Sequence, residues 1–225
     1  MNNKYYVVFE DNNNANGLDI HLRSMDSALS AEQNKISPVG INGASGAGEA
    51  NIQEAPAIAA GPGNLLFIAW QDRSAGKIFG RTYAPAGGQL GTQQEIGNGT
   101  HVALAATSTG WIAVWENQTD VKLRAIGGDG TPSGAEQIVN DDTNGTQEHP
   151  SIASLADGRF AVAFASNGNV FAQRYASNAS KVAGDQAAPI NDVVKGNASA
   201  PAIGGMAAAG GAFAVAWVDG SSGHV

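Results

Sequence analysis

Cysteine is absent from the 225 residues of this chain, so disulfide bonds, thiolate zinc sites and cysteine nucleophiles are excluded. Charged residues are scarce at 14%, and 20 acidic residues against 12 Lys and Arg give a net charge of −8. Such a chain lacks the basic face that binds phosphate, which argues against a nucleic acid partner. A cation or a neutral glycan is easier to reconcile with this charge.

Long uninterrupted apolar runs are also missing. The short apolar and aromatic run near the N-terminus is followed at once by Glu10 and Asp11, which is typical of a strand and a turn and not of a signal peptide. Residues 198–218 carry no charge and would be long enough to cross a bilayer, but five Pro and Gly residues interrupt them. We therefore predict no membrane span.

What the chain has instead is glycine, 30 residues of it, and a repeated pattern. Five segments alternate large and small apolar side chains and close on an aromatic residue. The closing residues, 45 to 61 positions apart, are Phe9, Trp70, Trp115, Phe164 and Trp217. Such alternation is the period of a strand with two different faces, and we call this element strand B.

Three further elements accompany strand B. A short element of small residues, strand A, precedes it in four copies and begins at Pro56, His101, Pro150 and Pro201. Strand C follows, and its fourth position is Arg23, Arg81, Arg124 or Gln173. A weaker strand D ends in Asn42, Asn98, Asn140 and Asn191. Turn-forming residues link these strands, and Asn167-Gly168 between B and C is a strong hairpin signal.

A unit of four antiparallel strands that repeats every 45 to 53 residues is the signature of β-propeller blades. We therefore predict an all-β chain, a β-propeller of repeated four-stranded antiparallel blades, about five in number. Residues 1–225 form a single repeat domain whose terminal blades are incomplete, because the first copy lacks strand A and the fifth stops early in strand C. The approximate units are 4–52, 53–98, 99–141, 147–193 and 198–225.

The fourth copy carries a family resemblance, in Gly134–Asn140, His149–Phe164 and Asn169–Tyr175. It resembles the repeats of about 50 residues in large secreted bacterial proteins of the hemolysin-type calcium-binding and adhesin-like kind. The resemblance implies an extracellular or cell-surface repeat protein and no assigned activity. Because the glycine-aspartate nonapeptides that bind calcium in that family are missing here, calcium dependence is not carried over.

Acidic residues concentrate in the loops that a propeller would place on one face, the B–C and D–A loops. The candidate ligand-binding residues of this face are Asp11, Asp72, Glu116, Asp141, Asp142, Glu148 and Asp219. We expect them to meet a glycan or protein ligand. The alternative is that these acids only keep the chain soluble.

Acidic oxygens around a rim are also ligands that Ca²⁺ prefers. The loop from Asp11 to Gly17 resembles a calcium loop, although its glycine comes one residue late for the EF-hand pattern. The candidate metal ligands are Asp11, Asn13 and Asp19. No other cofactor is expected.

A catalytic constellation is not visible in the sequence. No histidine lies three or four residues from another. A glycosidase needs two carboxylates about 5 to 10 Å apart across a cleft, and no acid pair stands out from the repeat. Adjacent Asp141 and Asp142 are typical of turn caps. The repeated arginine of strand C favours a hydrogen bond between blades over recognition of a substrate carboxylate.

We therefore predict that the chain is not an enzyme but a non-catalytic extracellular or cell-surface module for adhesion or ligand binding. The alternative is a structural subunit of a surface layer, filament or virion, which packs by self-association through open blade edges or within a larger parent assembly. A glycoside hydrolase is the third, less favoured function.

Overall fold

The computed structural model of the chain describes residues 4–14, 17–25, 31–36, 52–85, 88–191, 197–207 and 210–220. Within these ranges the regular structure is 16 β-strands and two one-turn 3-10 helices, so the prediction of an all-β chain is confirmed. No helix among the described residues is long and apolar enough to cross a bilayer. The uncharged stretch near the C-terminus instead forms two strands, Ala198–Gly205 and Phe213–Asp219.

The strands group into five antiparallel sheets of consecutive strands. The first sheet is β1 (Tyr5–Asn14), β2 (Gly17–Met25) and β3 (Ala31–Ile36). The second is β4 (Gln53–Ala60), β5 (Leu66–Asp72), β6 (Lys77–Ala84) and β7 (Gly88–Asn98). The third is β8 (Thr100–Ala106), β9 (Gly110–Asn117), β10 (Asp120–Gly127) and β11 (Pro132–Ile138).

The remaining two sheets have fewer strands. The fourth sheet is β12 (Gln147–Ser154), β13 (Phe160–Ser166) and β14 (Asn169–Tyr175), and the fifth is β15 (Ala198–Gly205) and β16 (Phe213–Asp219). Tight turns join the strands because the chain has turn residues there. Asn167 and Gly168 both adopt positive φ, 51° and 73°, as the predicted hairpin between β13 and β14 requires.

No strand is assigned over the predicted strand D of the fourth copy, but its last residues bond β14: the Ile190 N–H donates to Val170 O, and Asn191 Oδ1 accepts the Val170 N–H, both at 2.8 Å. Between β14 and these residues the chain forms an isolated bridge at Lys181 and a 3-10 turn over Asp185–Ala187. There the Asp185 carboxylate accepts hydrogen bonds from the backbone N–H and the guanidinium of Arg174, at 2.7 Å each. A side chain thus replaces strand pairing along this part of β14.

Successive sheets pack face to face, and an apolar cluster fills each of the first three interfaces. Trp70 packs with Ile20 and Leu22 between the first two sheets, and Trp111 and Trp115 pack with residues of the second sheet. A third cluster joins the third and fourth sheets. Since β5 and β13 are covered on both faces, every residue in them is buried. Burial on both faces is what two-faced apolar strands require.

The first strands of the second to fifth sheets contact one another in order, β4 with β8, β8 with β12 and β12 with β15. Each contains a β-bulge near its start, where one extra residue shifts the register against the next strand. The bulged residues adopt positive φ between 45° and 53° and are Ala55, His101, His149 and Ala200. The sequence alignment had set His101 opposite Pro56 and Pro150, and the structure moves it by one position.

Candidate active site at the bulges of the first strands

The residue after the closing aromatic of strand B accepts a hydrogen bond from the bulge of the following sheet, and this contact occurs three times. A bulge removes its residue from the ladder and leaves a backbone N–H to be satisfied. Glu10 Oε1 accepts the N–H of Ala55 at 2.6 Å, and Glu116 Oε1 accepts that of His149 at 2.6 Å. Between them, Gln71 Oε1 accepts the N–H of His101 at 3.3 Å.

These contacts and the residues beside the bulges form a band of polar side chains across four sheets, which we call the carboxylate belt. Its members are Glu10, Glu54, Gln71, Thr100, His101, Glu116, Glu148 and His149. The belt ends at the fifth sheet because Ala165 stands where Glu10, Gln71 and Glu116 stand in the earlier repeats. Alanine has no acceptor to offer the bulge at Ala200.

Glu116 is the most firmly held carboxylate of the belt. Besides the His149 N–H, its Oε2 accepts from Thr100 Oγ1 at 3.3 Å and lies 2.8 Å from His101 Nδ1. The Glu116 side chain is 15% exposed, whereas that of His101 is 57% exposed. Glu116 thus has a fixed orientation, with an exposed imidazole beside it.

Two histidines flank Glu116, and sequence reasoning missed the pair. The ring centroids of His101 and His149 lie 6.0 Å apart, although 48 positions separate the residues. They hold equivalent bulge positions in successive repeats, so a correct alignment of the bulges would have brought them together. Spacing along the chain could not, because the contact lies between sheets.

Two further carboxylates complete the belt. Glu54 Oε1 accepts from Gln71 Nε2 at 3.0 Å, and Glu54 Oε2 lies 3.8 Å from Arg73 Nη1. Glu148 stands at the bulge of β12, half-buried and paired in register with Ala165. The belt therefore collects carboxylates from the first four sheets at one end of the first strands.

Three of the predicted site acids lie outside the belt and bond partners of their own. Asp72 Oδ1 accepts the N–H of Ala75 at 2.9 Å and caps its own turn. Asp142 Oδ1 does the same for Asn144, also at 2.9 Å. Asp141 pairs with Lys181 Nζ at 2.6 Å. Of the predicted acids, Glu116 and Glu148 are the ones that the structure places in the belt.

The remaining candidates lie at the first and last sheets. Asp219 ends β16 opposite Ala198, and Asp19 in β2 pairs in register with Asp11. The side chains of Asp11 and Asn13 lie outside the described residues, so the calcium loop stays a prediction. Within the described side chains, no group of three or more His, Asp or Glu is arranged to hold a metal ion.

The repeated arginine position of strand C joins neighbouring sheets at Arg124, as predicted. Arg124 Nη1 donates to Ile96 O of the second sheet at 2.9 Å, and its Nε donates to Gly134 O at 3.0 Å. In the next repeat, Gln186 Nε2 bonds Gln173 Oε1 and also reaches Val139 O at 2.7 Å. This position therefore connects sheets and is not part of the belt.

Comparison with solved structures bears on the fold of the chain. No family model and no curated protein matches the chain. An endo-1,4-beta-xylanase of Bacteroides thetaiotaomicron is similar in structure, with a TM-score of 0.53 at 13% identity, over 96% of this chain and 80% of that chain. A glycoside hydrolase gives a TM-score of 0.51 at 8% identity, over 100% of this chain and 59% of that chain.

These likenesses overturn the predicted function. The prediction of a non-catalytic adhesion or binding module that is not an enzyme is wrong, as is its alternative of a structural subunit, because the similar chains are glycoside hydrolases. The repeat also explains why the sequence shows no acid pair. Each carboxylate of the belt comes from a different repeat, so no acid pair stands out along the chain.

Proposed function

We propose that this chain is a glycoside hydrolase that binds a glycan along the carboxylate belt. We further propose that its five sheets are blades of a β-propeller, with incomplete blades at both ends. One observation carries the proposal: carboxylates from four successive sheets converge at the bulges of the first strands, within a fold similar to that of a xylanase. Glycosidic hydrolysis needs two such groups on either side of the scissile bond.

The two most distinct carboxylates of the belt suit the two roles of this reaction. Glu116 is fixed by donors from Thr100 and His149 and by His101, as a carboxylate that attacks the anomeric carbon or activates a water must be. Glu148 is half-buried at the adjoining bulge, and no hydrogen bond to its side chain occurs among the described residues. We assign Glu148 the proton transfer to the glycosidic oxygen, with Glu54 as the alternative donor.

The charge of the belt favours a neutral glycan over an acidic one. Its carboxylates are accompanied by one arginine, Arg73, and that guanidinium faces Glu54. Arg124 is used between sheets. With a net charge of −8 on the whole chain, a uronate or sialate would meet repulsion and no arginine clamp. We also propose an extracellular location, which fits a polymeric substrate of this kind. The resemblance to secreted bacterial repeats remains a prediction.

The test is release of reducing sugar from neutral and acidic polysaccharides, xylan and pectate among them, by the purified chain and its variants. We expect hydrolysis of a neutral polymer. Glu116→Gln and Glu148→Gln should each lower kcat by roughly 10²- to 10⁴-fold, because each removes one carboxyl while leaving its volume in place. The matched control is Glu136→Gln, an exposed acid of β11 outside the belt, which should leave kcat unchanged.

Two results would contradict the proposal. One is full activity in the Glu54, Glu116 and Glu148 variants alike, which would place the chemistry elsewhere. The other is an absence of hydrolysis by a folded chain on every glycan of the panel. Loss of activity in Glu54→Gln but not in Glu148→Gln would keep the proposal and reassign the proton donor.

A further inference from the structure

The two terminal sheets each present an apolar face that the other sheets of the chain leave uncovered. On β1, Tyr5 and Val7 are 54% and 41% exposed. On β16, Val218 is 40% exposed, and the two residues that share its face, Ala214 and Ala216, are exposed as well. Both faces belong to a strand B, the element that the other sheets bury.

The three apolar clusters follow one rule. The first, third and fifth residues of each strand B pack against the preceding sheet, as Trp111, Ala113 and Trp115 do against Phe67 and Ala69 of β5. The second and fourth residues pack against the following sheet, as Tyr6 and Val8 do against the second sheet. Every interface is therefore head to tail, and each sheet has a leading face and a trailing face.

By this rule the two uncovered faces are opposite halves of one interface. Tyr5, Val7 and Phe9 form the leading face of the first sheet, and Ala214, Ala216 and Val218 form the trailing face of the fifth. The trailing face of the fourth sheet is Ala161, Ala163 and Ala165, which are buried where β13 packs against β15. A face of the same small residues is thus already covered once in this chain, by β15 of the fifth sheet.

Arg23 gives the leading face a second matching feature. It occupies in the first sheet the position of Arg124, which donates to a carbonyl of the preceding sheet. Arg23 lies over the Phe9 ring, 5.9 Å from its centroid, and so belongs to the same side of β1 and β2. The first sheet therefore presents both the apolar residues and the donor that the interior interfaces use.

We propose that the trailing face of the fifth sheet docks on the leading face of the first sheet in a second copy of this chain. The occupant is a second copy because it presents the matching face with the residue pattern of the interior interfaces. Such a heterologous contact uses two different surfaces and generates rings or open arrays of copies. This inference is independent of the proposed hydrolase activity.

The absence of cysteine makes a direct test available. Val7→Cys and Ala216→Cys each introduce one thiol at an exposed position, and a short bis-maleimide links thiols that lie close together. We expect a covalent dimer when the two single variants are mixed, and none from either variant alone, because the contact is head to tail. The matched control is Ser133→Cys, an exposed residue of β11, which should give no dimer with Ala216→Cys.

The double variant Val7→Cys, Ala216→Cys distinguishes docking between two copies from contact of the two faces within one chain. Cross-linked oligomers support docking between copies. Ala214→Glu added to the Ala216→Cys variant places a charge on the same face but keeps the thiol, and it should abolish the dimer in the mixture while the chain stays folded. An intramolecular cross-link at every protein concentration would overturn the proposal, since the two faces would then meet within one chain. A wild-type chain that stays monomeric by light scattering at the highest soluble concentration, with no dimer in the mixture, would also overturn it.

Discussion

Strands β13 and β16 have nearly the same sequence and different surroundings. They read Phe-Ala-Val-Ala-Phe from Phe160 and Phe-Ala-Val-Ala-Trp from Phe213. Every residue of β13 is buried, whereas β16 alternates between half-buried and exposed residues. The difference in burial comes from the neighbouring sheets. The sheet of β13 lies between the third and fifth sheets, whereas the sheet of β16 has a described neighbour, the fourth sheet, on one face only.

The comparison shows that a two-faced apolar strand specifies its own conformation but not its burial. Alternation of side chains is a local property that both strands express. Burial of the second face depends on a further sheet, which a strand cannot supply for itself. Variants at equivalent positions of the interior and terminal sheets measure that dependence directly.

The largest contrast is expected for the closing tryptophans. Trp115 is fully buried, and its Nε1 donates to Asn98 O at 2.8 Å. Trp115→Ala should cost about 3 to 5 kcal/mol of unfolding free energy, measured by denaturant titration, because it leaves a cavity. Trp217→Ala, at the equivalent position of half-buried β16, should cost roughly 1 to 2 kcal/mol. A loss under about 1 kcal/mol at Trp115 would contradict the burial of this ring.

A smaller contrast is expected for the alanines that follow Phe160 and Phe213. Ala161 is fully buried between sheets, so Ala161→Leu should destabilise the chain by about 1 to 3 kcal/mol through overpacking. Ala214 is exposed, and Ala214→Leu should change stability by less than about 0.5 kcal/mol. Equal costs at the two positions, measured by thermal unfolding of dilute protein, would mean that both faces are covered alike.

The smallest contrast is between two ion pairs of the fourth sheet, Arg174–Asp185 and Arg159–Asp157. The contribution of the first to the unfolding free energy should depend on pH. Burial raises the pKa of Asp185, but the hydrogen bonds and charge of Arg174 outweigh it and hold this pKa below its ordinary value. The stabilisation is therefore full above about pH 5 and is lost as the pH falls below roughly 4. Asp185→Asn should cost about 1 kcal/mol at pH 7, and the cost should shrink as the pH falls below roughly 4.

The matched variant for that experiment is Asp157→Asn. Hydrogen bonds from Arg159 lower the pKa of Asp157, and Arg159 Nη2 also donates to Gly210 O, which ties the terminal sheet to its neighbour. Because Asp157 is exposed to solvent, we expect its loss to matter less than that of Asp185 at every pH. A larger effect at Asp157 would show that the junction with the terminal sheet limits stability.

Much of the fold was predictable from the sequence because it follows from local patterns. The alternation that ends in Trp115 or Phe164 predicted strands, and Asn167-Gly168 predicted a hairpin. The fourth strand of the fourth unit forms only in part: Ile190 and Asn191 bond Val170, whereas the Asp185 carboxylate bonds Arg174 where a strand would pair. Apolar pattern alone does not show which side chain will replace a strand.

The candidate site was predictable only in part. Glu116 and Glu148 were recognised as acids of one loop face, but their relation to His101 and His149 was not. Those contacts join residues 15 and 33 positions apart, at bulges that shift the repeat alignment by one residue. The same face was predicted to include Asp72, Asp141 and Asp142. In the structure two of them cap turns and Asp141 pairs with Lys181. The sequence does not give the distances that distinguish these acids from those of the belt.

The sequence by itself determined an all-β chain of repeated strands, because side-chain periodicity and turn chemistry act between residues that are close along the chain. Only the tertiary structure decided which strand faces are buried and which carboxylates converge. Both depend on the stacking of one sheet on the next, where a bulge in one repeat presents its N–H to a side chain of another. The same stacking covers β13 and leaves one face of β16 open.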